Sequence, residues 1–240
     1  DGRALYALGQ IFLTQGIYTG DTRTLLRSMA AFSKGKEDSE EKVLCRSACC
    51  TMEVGGLSRT GKTEDDVAMA DALSRMAEGG DVLAMMELGM AYGFGILVKP
   101  YRDMALSWLE KAADAGYWAA MLQAAGILMR QQDTEIRKKA FNYVKKAAEM
   151  GDSLALVRLG DCYHYGLGCE KSFEQARRCY DMACRREDSI LAVYSMSRLY
   201  DDKQFPQASE IQTTIWTEKA AQLGSVDAMC VMGDRAYYGR

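Results

Sequence analysis

Two stretches decide the fold: Ala84-x-x-x-Leu88-Gly89-x-x-Tyr92-x-x-Gly95, and after it Ala105-x-x-Trp108-x-x-Lys111-Ala112-Ala113-x-x-Gly116. The first recurs as Ala155-Leu159-Gly160-Tyr163-Gly166 and as Ala228-Met232-Gly233-Ala236-Gly239. Weaker copies start at Ala4, Leu44, Ala120 and Ala192, so successive starts differ by 40, 40, 36, 35, 37 and 36 residues. That period belongs to repeats of paired helices. Apolar residues at the start, +4 and +8 share one face of a helix, here helix A, and the glycine at +5 lets a neighbouring backbone come close. The second stretch returns as Ala140-Tyr143-Lys146-Ala147-Ala148-Gly151 and Thr213-Trp216-Lys219-Ala220-Ala221-Gly224. It forms helix B: its alanines permit a tight crossing, an aromatic fills the gap, and the closing glycine takes the left-handed conformation. Asp81, Asp152 and Ser225, directly after such glycines, are the expected N-caps of the next helix A.

These spacings predict an all-α chain, an α/α superhelix of antiparallel helix pairs with about six and a half repeats. The whole of residues 1–240 reads as one array, and the first residue, Asp1, together with the Tyr238-Gly239-Arg240 end leads to the expectation of an excerpt from a longer chain. Composition agrees: 48% apolar residues supply a continuous core, while 2 Pro and 22 Gly suit helices closed by glycine.

The Leu88-Gly89-x-x-Tyr92-x-x-Gly95 and Trp108-Leu109-Glu110-Lys111-Ala112-Ala113-x-x-Gly116 signatures resemble those of the Sel-1-like repeat family, relatives of the tetratricopeptide repeat. The resemblance covers nearly the whole chain, with longer, looser first and second units and a fourth unit that has Gln131-Gln132-Asp133 in place of the glycine loop. It implies a non-enzymatic scaffold or adaptor in a multiprotein assembly, in settings that include complex assembly, membrane-associated degradation, signalling and mitochondrial assembly. Some bacterial members staple helix B to the next helix A with a disulfide. Cys184 stands at the first of those positions, but Ala192 stands at the second, so the staple is not expected here. Pentatricopeptide arrays share the period and read RNA, but the acidic balance and the Leu-Gly and Lys-Ala-Ala signatures oppose them.

The formal charge of −3, from 30 Lys+Arg against 33 Asp+Glu, gives no global field for nucleic acid. No apolar run approaches the length of a membrane span, so direct membrane insertion is not expected. The eight cysteines, Cys49 and Cys50 adjacent among them, lack the spacing of a disulfide framework and favour a reducing compartment such as the cytosol or mitochondrion.

Three constellations tempt toward chemistry. Gly56-Leu57-Ser58-Arg59-Thr60-Gly61-Lys62-Thr63 matches a phosphate-binding loop literally, yet the repeat places a helix before it, over about Val43 to Val54, where that chemistry needs a strand. It reads as the turn between helices A and B of the second unit. Cys162, His164, Cys169, Cys179 and Cys184 cluster as zinc ligands would, but Cys162 and His164 point roughly 200° apart on a helix, and Cys179 and Cys184 fill packing slots. A nucleophilic triad would have to be built on His164, the single histidine. No catalytic residue, cofactor or metal is therefore expected.

By analogy with tetratricopeptide arrays, helix A lines the concave surface and its −1, +2, +6, +9 and +10 positions face a protein or peptide partner. In the third and fourth units these give Met86, Met90, Phe94, Leu122 and Met129, an adaptable apolar stretch. Later units give Asp161, His164, Tyr165, Tyr194, Arg198, Asp201, Asp234, Tyr237 and Tyr238, polar and aromatic with an acidic tilt that favours basic segments. On this frame Met90→Asp with Phe94→Asp leaves the fold intact. The same fifteen methionines also read as core filler, and the array also reads as the regulatory tail of an enzyme whose catalytic domain lies outside these residues.

Overall fold

The computed structural model describes residues 9, 64–94, 101–186 and 189–238. The first two units apart from residues 9 and 64–83, with the Gly56–Thr63 loop and Cys49-Cys50, lie outside them, as do the loop glycines Gly95 and Gly239. Among the described residues there are ten α-helices and no strand: α1 Glu64–Glu78, α2 Val82–Phe94, α3 Arg102–Asp114, α4 Trp118–Leu128, α5 Thr134–Glu149, α6 Ser153–Tyr165, α7 Phe173–Arg186, α8 Ile190–Asp201, α9 Glu210–Gln222 and α10 Val226–Tyr238. Helices A are α2, α4, α6, α8 and α10, and each is about as long as its apolar pattern. No helix among the described residues is long and apolar enough to cross a membrane.

Local chemistry sets the boundaries. Asp81 Oδ1 accepts from the amides of Leu83 and Ala84 at 3.0 and 3.2 Å, Asp152 Oδ1 from Ala155 at 2.9 Å, and Ser225 Oγ from Ala228 at 3.2 Å, so the three expected caps are in place. Asp133, Ser189 and Ser209 cap α5, α8 and α9 in the same way. Helices B close with glycine at positive φ: +89° at Gly116, +90° at Gly151 and +101° at Gly224. At two of these ends the amides of Gly116 and Tyr117 reach the carbonyls of Ala113 and Ala112, and those of Gly224 and Ser225 reach Ala221 and Ala220. This paired closure satisfies carbonyls that the helix leaves over and turns the chain sharply enough to start the next helix A.

The described residues divide into two compact units, one through Ala124 and one from Ala125. In the first, α2 packs on α1 and α3. In the second, α5 through α10 each pack on the next helix, and α6 also meets α8, the following helix A. Helix A and its own helix B interlock at the +5 glycine. A Cβ on Gly89 would lie 2.7 Å from Leu109 Cγ and 3.2 Å from the Ala105 carbonyl oxygen, so backbone does come close there. At Gly160 the neighbour is an aromatic ring: a Cβ would lie 2.4 Å from Tyr180, whose side chain is fully buried. The aromatic slot of helix B is covered at Trp108, Tyr143 and Cys179. Its Trp-x-x-Lys spacing sets the ammonium of Lys111 3.8 Å from the Trp108 ring centroid and that of Lys219 5.3 Å from Trp216, a cation–π contact on one helix face.

Candidate partner-binding surface

The helix A frame does not have the same exposure from one end to the other. Met86, Met90 and Leu122 are buried, and Met129 is half-buried just past α4. These three side chains leave the expected surface for the core. The physical reason is that α2, VLAMMELGMAYGF, is apolar almost all round and lies against both α1 and α3, so no single stripe marks its solvent side. Met90→Asp would therefore bury a charge and cost the fold, contrary to the expectation above. The side chain of Phe94 lies outside the described residues.

His164 is also buried, and the structure gives it an internal task. Its Nε2 lies 3.1 Å from Asp202 Oδ2, across two consecutive loops between helices A and B. Asp202 further accepts from the Gln204 amide at 2.8 Å and pairs with Lys171 Nζ at 3.6 Å, while Lys171 donates to Gln204 Oε1 at 2.8 Å. Burial lowers the His164 pKa against the pull of Asp202, and the Gln204 amide, ahead of His164, lowers that of Asp202. Because an ionised carboxylate only accepts, the Nε2 that faces Asp202 is the ring nitrogen that carries a proton. The imidazole stacks on Tyr165 at 4.3 Å and thus fixes that ring's direction.

The remaining residues are brought to an accessible face on α6, α8 and α10. Tyr165 is exposed, and the Arg198 guanidinium donates to its hydroxyl and lies 5.4 Å from its ring centroid. Asp161 is half-buried and accepts from Tyr180 Oη at 2.8 Å. Burial raises its pKa, with the Tyr180 hydroxyl and Arg198 opposing the rise. Tyr194 and Arg198 are half-buried; Asp201, Asp234, Tyr237 and Tyr238 are exposed. Arg235, a residue the positional frame missed, reaches Asp201 at 3.8 Å and Thr214 Oγ1 at 3.2 Å. Its sequence signal was weak, because it stands at +7, where α8 carries a buried Leu199.

Among the described residues the cysteines do not converge into a ligand set. Cys162 and Cys179 are buried, burial pushing their thiols up to about 12 and about 11, and Cys169 Sγ donates to the Cys162 carbonyl at 3.4 Å. Such thiols are protonated and poor nucleophiles or ligands. Among the described residues no group of three or more His, Cys, Asp or Glu is placed to hold a metal ion.

Capped helix pairs interlocked at a glycine notch define a helical repeat protein of the solenoid class. The Sel1 repeat pattern matches residues 82–117, 119–152, 153–188 and 209–225, a little over half of the chain. The chain belongs to the Sel1 repeat family. A solved Sel1 repeat protein from Oxalobacter formigenes matches with a TM-score of 0.63 and 26% identity, over 100% of this chain and 68% of that one. The DAP3-binding cell death enhancer 1 of Mus musculus is 36% identical over 89 residues, 37% of this chain and 17% of that protein. Chitin synthase regulatory factor 3 of Schizosaccharomyces pombe is 25% identical over 240 residues, 96% of this chain and 25% of that protein. The chain thus spans a quarter or less of the length of these two relatives. Sel1 repeat proteins generally mediate protein–protein interactions, and the repeat is a helical scaffold that is not typically enzymatic.

Proposed function

We propose that this chain is a scaffold or adaptor within a larger protein assembly and that it holds a protein partner along the helix A faces of α6, α8 and α10. One observation carries the reading: on three successive helices A, the same frame that is buried in α2 presents Tyr165, Tyr194, Arg198, Asp201, Asp234, Tyr237 and Tyr238 with half or more of them openly exposed. Tyr and Arg combine large contact area with few rotors and a planar donor set, which is why they dominate interface energetics. The polar pairs beneath them, Tyr180 with Asp161 and His164 with Asp202, hold the contact residues in place. Two relatives support action through another protein by their names alone, one binding DAP3 and the other regulating chitin synthase. The second of these also suits a regulatory role toward an enzyme.

The test is co-purification from cells of the parent protein with and without Tyr165→Ala and Arg198→Glu, both partly exposed positions. Loss of specific partners with an unchanged circular dichroism spectrum and melting curve is the expected result. Full retention of every partner sinks the groove.

A further inference from the structure

We infer that Arg198, on the helix A face shared by α6 and α8, takes the carboxylate of an aspartate or glutamate side chain from a partner segment that passes across the array. This rests on the reading of these helix A faces as the partner surface and gives that partner a chemistry.

The observation is a cation that is partly out of water and lacks a counter-ion in contact. Arg198 is half-buried, and it meets Tyr165, donating to the hydroxyl with the ring centroid 5.4 Å away. Arg177, Arg178 and Arg235 reach carboxylates at 3.3, 3.1 and 3.8 Å. Among the described residues no carboxylate comes within such reach of Arg198. Asp161 attracts it from farther off and is already engaged, accepting from Tyr180 Oη at 2.8 Å. A phenol hydroxyl takes up one of the five N–H donors of a guanidinium and none of its charge. A charge withdrawn from water without a partner is costly, so the site gains when a carboxylate is brought to it.

The site is also built and open. His164, buried and bonded to Asp202, stacks on Tyr165 at 4.3 Å and sets that ring beside Arg198. Tyr194 stands one turn before Arg198 on the same helix face, and α6 packs directly against α8. The helices A before and after α8, namely α6 and α10, are both in place, so the exposure of this face belongs to the interior of the array. Of the carboxylates in the frame, Asp161 is held by Tyr180, Asp201 by Arg235, and Asp234 stands on α10. On the α6 side, Arg158 adds a second cation near Asp161. Mid-helix backbone amides are spent within α6 and α8, so a chain end finds no amide donors here and a side chain is the source of the carboxylate.

The experiment selects a displayed library of random peptides on the 240-residue chain, followed by calorimetric titration of a recovered peptide. Aspartate or glutamate is expected at a fixed place in the recovered sequences, with binding that weakens as salt rises. Affinity is expected to fall about ten-fold or more in Arg198→Gln, by a similar factor when the peptide's acidic residue is replaced by its amide, and no further when the two changes are combined. The peptide change is read on the unaltered chain, so a folding defect in the variant does not blunt the test. Recovery of no peptide, enrichment of basic or uncharged residues, or losses that simply add overturns the assignment. Binding abolished by amidating the peptide's C-terminus alone also overturns it, in favour of a chain end. Peptides without acidic residues that Tyr165→Ala still weakens leave the partner surface standing and remove the carboxylate. Peptides indifferent to both Tyr165→Ala and Arg198→Gln remove the surface itself.

Discussion

The junction of α6 with α7 and the junction of α8 with α9 occupy the same place in successive repeats and are filled in opposite ways. In the first, Gly160 gives up its side chain and the Tyr180 ring enters the notch, capped by Asp161. In the second, Ser197 stands where the glycine was and Thr217 where the tyrosine was. Their hydroxyls meet at 2.6 Å, and because Thr217 donates to the Thr213 carbonyl at 2.6 Å, Ser197 is the donor between them. The crossing is thus closed in two ways, by the volume of a ring in a glycine notch or by two small hydroxyls bonded to each other.

The comparison breaks first at the ring. Tyr180→Ala removes a fully buried aromatic and strips Asp161 of its hydroxyl donor, and is expected to cost about 3–5 kcal/mol in urea unfolding. Thr217→Ala removes far less and is expected to cost about 1–2 kcal/mol. Equal losses would show that the two junctions bear the same load and that the volume argument is wrong.

A sharper form uses two helical glycines, one in the notch and one on an open helix face. Gly160→Ala drives a Cβ to 2.4 Å from a rigid ring and is expected to destabilise by about 1–3 kcal/mol despite the better helix former. Gly126→Ala, on the exposed side of α4, meets nothing within 4 Å and is expected to stabilise that helix by up to about 1 kcal/mol through helix propensity alone. Opposite signs in the two melting curves are the expected result. Between these in mechanism lies Ser197→Ala, which leaves Thr217 bonded to Thr213 but with its acceptor side dry, at a cost of about 1 kcal/mol.

What could be read in the sequence follows from how local each cause is. Asp81, Asp152 and Ser225 act on amides two or three residues away, so their capping was legible from position alone. The glycine notch was legible too, but its occupant was not: helix B advertises Trp108, Tyr143 and Trp216, whereas the residue that enters at Gly160 is Tyr180, one place further on. The exposure of Met86 and Met90 was misread because in a helix apolar on every side the repeat frame ranks positions without saying which are covered. His164 with Asp202 and Asp201 with Arg235 join residues more than thirty positions apart in loops and helix ends, and no periodicity reports such pairs.

The smallest expected effect tests the loops that flank the two junctions. Burial holds the His164 pKa below its ordinary value near 6.5, and Asp202 only partly opposes this. The folded chain therefore keeps a neutral imidazole at a pH where the unfolded chain takes up a proton. That contribution to stability is complete above about pH 6.5 and is lost as pH falls through the folded-state value. The melting temperature is expected to be lower at pH 5.5 than at 7.5, by a margin that shrinks in His164→Gln. Asp161 and Asp152 have raised pKa values and contribute with the opposite sign, toward acid, so the difference between parent and variant isolates the histidine. If the margin instead grew in His164→Gln, protonation would be strengthening the bond to Asp202. The loop pair would then be an ion pair and not a neutral strut.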